Sequence, residues 1–316
     1  MKLLSFDGGA GPCLGALGGD GAIVDISQAS PALSSMQALI EGGDAALDIA
    51  RSIVQRAQGG RDPSSVRWLA PLPVPVQMRD FLVFEEHMRM AGWQGAKLRA
   101  TWGAPPAPPE PMAIPPIWYS QPIYYKCNRF AVSGPGDTVH WPDYSRIIDY
   151  ELELACVIGK RGRDIPASRA AGHIFGYTIW NDFTARDAQF QEMQGPLGPA
   201  KGKDFDGANM LGPVIVTADA IDPANLAMRA LVNGALWSEG NSGSMHWSFA
   251  QIIEHVSRSE TLHPGEVLGS GTVGSGCGLE LGRFLKHGDR IELQIEGIGT
   301  LAALIDAPLV TEQVTL

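Results

Sequence analysis

Residues 149–158 read Asp-Tyr-Glu-Leu-Glu-Leu-Ala-Cys-Val-Ile, an apolar run of strand character that carries Glu151 and Glu153. In a strand, side chains at i and i+2 point to the same face, which aims these two carboxylates together with their Cα atoms about 7 Å apart. Like charges so placed repel, and a buried charge is costly unless it is paired. The fold must therefore bring something positive to this strand or leave it in water. Taken alone, Glu-x-Glu on an edge strand is usually a solvated face. A shared cation is the other solution, and an all-oxygen ligand set favours a hard ion such as Mg2+ or Ca2+, with Mn2+ as a third option.

The 316 residues, 45% hydrophobic and 18% charged, can bury a sizeable core and exceed the commonest single-domain size. Pro71, Pro73 and Pro75 form a stiff connector. They divide an expected small N-terminal α+β domain, 1–70, from a larger domain, 71–316. In the first, strand patterns at 1–6, 13–17 and 22–26 precede a helical stripe over 33–58. In the second, a helix is expected at 79–91. The Pro-rich stretch 104–116 can be neither regular helix nor central strand. Strand patterns follow at 130–133, 148–159, 174–181, 212–217, 228–233, 265–270 and 289–295. Helices fit 166–173, 182–193 and 246–258. The pattern is strand-rich and agrees with an α+β class without selecting a fold.

A net charge of −10 argues against nucleic acid, because phosphate binding needs a basic surface. No apolar stretch approaches the roughly 18 residues of a membrane span, and the N-terminus lacks the regions of a secretory signal. A cytoplasmic protein without membrane association is the expectation. The four cysteines, Cys13, Cys127, Cys156 and Cys277, are too scattered for a zinc site or a disulfide framework.

Three further segments carry charge in settings that suggest chemistry. Arg79-Asp80-Phe81 leads to Glu86-His87, and a helix here would put Asp80, Phe84 and His87 on one face. Alone, such a histidine is more often a partly exposed helix residue. Asn181-Asp182-Phe183-Thr184-Ala185-Arg186-Asp187-Ala188-Gln189 follows an apolar strand, where Asp182 could cap the next helix. Arg186 and Gln189 would then share a helical face. Gly202-Lys203-Asp204-Phe205 offers a lysine to an anionic substrate or is an ordinary turn. Gly269-Ser270-Gly271-Thr272-Val273-Gly274 matches Gly-x-Gly-x-x-Gly literally, but no dinucleotide-type helix opens there. Gly198 to Lys203 has the wrong spacing for a phosphate loop, and no Gly-x-Ser-x-Gly elbow is present.

Taken in order, these segments resemble the fumarylacetoacetate hydrolase family over roughly residues 75–305. The matching motifs are the paired-glutamate strand 149–155, Asn181-Asp182-Phe-Thr-Ala-Arg186-Asp187, Gly202-Lys203 with Leu211-Gly212-Pro213, and the Gly-Thr loop 269–272. Asp80 with His87 seven residues later, 245–248 and Leu279-Glu280-Leu281 resemble its long, carbon–carbon bond hydrolysing branch. The resemblance implies a mixed β-roll or β-sandwich catalytic domain and a homodimer. It implies metal ligation by Asp80, Glu151, Glu153 and Asp182, and a general base, His87, oriented by Glu280. Lys203 and Gln189 would meet developing negative charge, and Arg186, Gln189 and Thr272 fall at substrate-pocket positions. Leu82 stands where that branch often has tyrosine, the stretch between Gly274 and Leu279 is shorter, and 104–116 has no counterpart.

The implied reaction is hydrolysis of a 1,3-diketone or acylpyruvate-type acid. A divalent cation polarises the carbonyls, His87 activates water, and an enolate leaves. Relatives with this site include isomerases and decarboxylases of keto acids, which need no water nucleophile. A non-catalytic scaffold on the same fold is the remaining alternative. Trp93, Trp102, Trp118 and Tyr119, with the Pro-rich loop, are candidates to line or cover the pocket and suggest a bulkier, more apolar substrate than a short dicarboxylate.

Overall fold

A computed structural model describes residues 1–308 apart from Ala10 and Pro196. Its central element is the strand Leu152–Ile158, hydrogen-bonded to Ile174–Asp182 on one side and Val267–Gly269 on the other. This is not the edge that would leave Glu153 in water. Leu152, Leu154, Cys156 and Ile158 enter one core cluster, while Ala155 and Val157 enter another. Burial on both faces explains the unbroken apolar run.

The sheet around it has eleven strands. Its main path runs Ile23–Asp25, Pro12–Leu17, Lys2–Asp7, Asn209–Thr217, Ile174–Asp182, Leu152–Ile158, Val267–Gly269, Met78–Phe81 and Tyr124–Lys126. One face packs on a five-stranded sheet whose Met228, Leu293 and Leu301 share a core with Leu154 and Cys156. The other face is covered in part by the helices Met36–Glu41 and Gly43–Arg56, through Leu39, Ile40, Ala46 and Ala50. The protein is thus α+β and strand-rich. Residues 1–70 add strands to the same sheet, with Leu3 opposite Ile215.

Three local expectations are corrected. The helical stripe over 33–58 is two helices, broken where Gly43 takes φ +60°, a backbone that β-carbon-bearing residues rarely adopt. Residues 78–81 are a strand, and the helix starts later, Glu85–Ala100. Asp80 and His87 therefore share no helical face. Asp182 ends the strand Ile174–Asp182 and caps nothing; the following helix, Arg186–Glu192, has Ala185 at its N-cap. The Pro-rich stretch is irregular up to the short helix Pro116–Ser120, as its prolines require.

Candidate active site

The alternation that builds the sheet also assembles the acids. Met78, Ala155, Val157 and Trp180 belong to the same core cluster, so two-residue periodicity puts Asp80, Glu153 and Asp182 on that same face. Register aligns them: Glu153 lies opposite Trp180, Ala155 opposite Gly269, and Gly269 opposite Asp80. One oxygen from each of Asp80, Glu153 and Asp182 comes within 4.8 Å of the other two.

Gly269 makes this approach possible. A β-carbon there would stand 2.5 Å from Asp80 Oδ1 and 2.8 Å from the Trp180 ring. Gly269→Ala is expected to displace the Asp80 carboxylate and weaken divalent-cation binding at least tenfold, read by calorimetric titration. Unchanged affinity would mean that Asp80 is no ligand.

Glu151 sits beside this trio, where the strand is interrupted. Its Oε1 accepts from Arg186 Nη2 at 2.6 Å and its Oε2 from Lys203 Nζ at 2.7 Å. Lys203 also donates to Asp182 Oδ2 at 2.5 Å and Thr184 Oγ1 at 2.8 Å, which uses all three ammonium hydrogens. Arg186 donates through Nε to Asp149 Oδ2 at 2.7 Å and through Nη1 to Gln189 Oε1 at 3.0 Å. The Gln189 amide is thereby turned with its NH2 group away from Arg186. Thr272 donates to Glu153 Oε1 at 3.4 Å, and the Gly271 amide to Asp80 Oδ1 at 3.1 Å. His87 is buried, not the exposed helix residue of the plain reading, and its Nδ1 lies 2.9 Å from Glu280 Oε2.

Sequence reasoning left out three residues here. Asp149 is fully buried and accepts from Arg186, Gly278 N and Leu279 N, so it joins the arginine to the short helix carrying Glu280. An acid opening an apolar strand was its only signal. Tyr125 donates to Asp182 Oδ2 at 2.7 Å, and Cys277 Sγ lies 3.3 Å from Glu280 Oε2. Nothing in their local sequence marks either. Arg79 is buried against Glu266 and Glu260, behind the acid cluster.

The sequence model of the fumarylacetoacetate (FAA) hydrolase C-terminal domain matches residues 86–306. The chain belongs to the fumarylacetoacetate hydrolase family. A mitochondrial oxaloacetate tautomerase of Bos taurus is 33% identical over 95% of this chain and 90% of its own length. The solved fumarylacetoacetate hydrolase of Exiguobacterium antarcticum superposes with a TM-score of 0.76 at 30% identity, covering 98% of this chain and all of that one. A maleylpyruvate hydrolase of Sphingobium sp. SYK-6, solved with manganese(II) and pyruvate, gives 0.73 at 26% identity, with the same coverage. Relatives of this family thus include hydrolases and tautomerases, and this chain is an FAA hydrolase-type protein with their fold. Among its described residues no helix is long and apolar enough to cross a membrane.

Electrostatics test whether the family member's acids suit a cation. Five buried carboxylates (Asp80, Asp149, Glu151, Glu153 and Asp182) face two buried cations, Arg186 and Lys203. Burial works against the charge of Glu151, but Lys203 and Arg186 overcome it and hold its pKa down at about 2. Burial, then repulsion from Asp182, pushes Asp80 up to about 8. Burial with repulsion from Asp80, Asp182 and Glu151 drives Glu153 well above the carboxylate range. Among the described residues, Glu153 Oε2 and Asp182 Oδ1 are buried with no hydrogen-bond partner. Unpartnered buried oxygens on mutually repelling acids fit a hard divalent cation. Asp80, Glu153 and Asp182 would hold it, with Glu151 alongside.

A cavity of about 500 Å³ opens onto this cluster. Asp80, His87, Glu151, Arg186, Gln189, Lys203 and Thr272 line one end. Trp93, Trp102, Trp118 and Tyr119 do not line it, contrary to expectation. Trp93 donates to Pro108 O at 2.9 Å and Trp118 to Leu82 O at 2.6 Å, so both brace loops.

Proposed function

We propose that this protein is a divalent-metal-dependent hydrolase that cleaves a carbon–carbon bond of a 1,3-diketone or acylpyruvate-type acid. The observation that carries the reading is the buried His87–Glu280 pair, opening on the same cavity as the acid cluster. Asp80, Glu153 and Asp182, with Glu151 alongside, would hold Mg2+, Ca2+ or Mn2+, which would supply Lewis-acid polarisation of the substrate carbonyl.

The residues supply the proton chemistry. Glu280 Oε2 accepts from Nδ1 of His87, which leaves the lone pair on Nε2. Nε2 takes a proton from water as its oxygen adds to the carbonyl carbon. The Gln189 NH2 group is free to donate to the resulting oxyanion, whereas Lys203 holds Glu151, Asp182 and Thr184 in place. The carbon–carbon bond then breaks, its electron pair leaves as an enolate, and the His87 imidazolium returns the proton to carbon. We take the enzyme to act as a homodimer.

A second reading is tautomerisation of a 2-oxo acid, favoured by the near-full-length likeness to the bovine tautomerase. It needs only proton transfer through His87. Mass spectrometry of products from a metal-supplemented acylpyruvate panel decides. Hydrolysis yields two acids with the mass of one water added. Tautomerisation conserves mass, decarboxylation releases CO2, and either result in place of the two acids rejects the hydrolase reading.

A further inference from the structure

Among the described residues, the far end of the cavity offers no lysine or arginine to pair with a second carboxylate. Leu82, Met88, Ile123, Phe190, Met193 and Leu279 dominate its lining, with Tyr124 among them. Among the described lining residues the lysine and arginine side chains are Lys203 and Arg186, which with His87 sit at the acid cluster. All three hydrogens of Lys203 are engaged, and each nitrogen of Arg186 already donates to Asp149, Gln189 or Glu151. Two cations and one divalent ion still leave the five carboxylates with an excess of negative charge. Arg99, whose guanidinium lies 5.5 Å from the Phe190 ring centroid, lines a neighbouring cleft instead.

A substrate's reactive end has its partners in the acid cluster, the cation and Gln189. A distal carboxylate would face aliphatic, thioether and aromatic carbon with no cation to pair with, and would be repelled by the net charge of the site. A distal alkyl or aryl group would gain from burial there, by about fourfold in affinity per methylene.

We propose that the substrate carries a single carboxylate, at its reactive end, and an apolar acyl or aryl tail, and that the 82/88/123/190/193/279 wall selects it against dicarboxylates. The proposal takes the acid cluster as the anchor of the 2-oxo acid, as the functional reading does, but not the reaction that follows.

The test is therefore a binding measurement. Calorimetric titration of the Mg2+-loaded protein would compare 2-oxohexanoate with 2-oxoadipate, equal in carbon number and differing in the terminal carboxylate. The expected result is at least tenfold tighter binding of 2-oxohexanoate, rising further for 2-oxooctanoate. Equal affinities, a preference for 2-oxoadipate, or no binding of either at millimolar concentration would overturn the proposal. Ile123→Lys places a cation at a position 37% exposed to solvent, where folding tolerates charge. It should shift the ratio at least tenfold toward 2-oxoadipate, and an unmoved ratio would show that this wall does not select. Product analysis remains separate. A preference for apolar tails with mass-conserving turnover would reject the hydrolase reading and keep this one.

Discussion

His87→Ala is expected to lower kcat by about 10²- to 10⁴-fold, the range of a positioned general base, while divalent-cation affinity stays within a few-fold of wild type. The separation follows from geometry. His87 sits in the first turn of the helix Glu85–Ala100, and its ring is held by Glu280, not by any of Asp80, Glu153 or Asp182. Because His87 is buried, the variant needs a thermal unfolding control, and His87→Gln, which keeps a hydrogen-bonding partner for Glu280, provides a second one. The pH profile supplies a signature that packing damage would not. Burial opposes the imidazolium, but Glu280 outweighs it and raises the His87 pKa. A base must be unprotonated, so kcat/KM should climb with pH through a midpoint above the ordinary imidazole value of about 6.5. Glu280→Gln removes the carboxylate that favours the cation and should move that midpoint to lower pH. Near-normal turnover by His87→Ala would remove the histidine from the mechanism.

The sequence made the acid strand legible because its two signals agree. A central strand buried on both faces needs a continuous apolar run, so the glutamates within it could not be solvated decoration. Asp80 is brought to the other acids by sheet register, not by the helical face on which local spacing puts it with His87. Met78–Phe81 is a strand whose register against Val267–Gly269 delivers the acid, and pairing between segments nearly two hundred residues apart leaves no local periodic trace. The same limit hid Tyr125, which reaches Asp182 from the outermost strand on that side of the sheet. The aromatic residues misled for a different reason. Trp93 and Trp118 use their indole N–H groups on backbone carbonyls, which sequence cannot foresee, and the pocket wall falls instead to less conspicuous residues such as Leu82 and Met88. Asp149 was visible as a charge in an apolar run, but its work is to hold Arg186 and two amides, a role set by tertiary structure alone.

Glu153→Gln is expected to abolish cation binding and activity together while leaving the metal-free protein as stable as wild type, or more so. The amide preserves shape and removes one of the charges that repel at the cluster. The metal-free wild type carries that repulsion as a pH dependence whose sign can be worked out. Asp80 is pushed to about 8 and Glu153 well above its ordinary value, by burial first and by neighbouring acids next. Groups with a folded pKa above the unfolded value take up protons on folding. Their contribution is complete below the unfolded carboxylate value of about 4 and is lost as pH rises toward about 8. Glu151, held down at about 2, works the other way, but its change is over before this window opens. Metal-free wild type should therefore lose melting temperature between about pH 5 and 8. Glu153→Gln should lose less, because one proton-binding site is gone. Saturating Mg2+ should stabilise the wild type by about 2.7 kcal/mol at a hundred times Kd and flatten its pH dependence, since the cation replaces the protons. In Glu153→Gln the same addition should do neither, and turnover should fall by more than about 100-fold, at least the loss seen when a metal's outer-shell partner is removed. A variant that binds Mg2+ as tightly as wild type would place the ion elsewhere, and a flat metal-free pH profile in the wild type would mean that the three acids do not share a charge-crowded site.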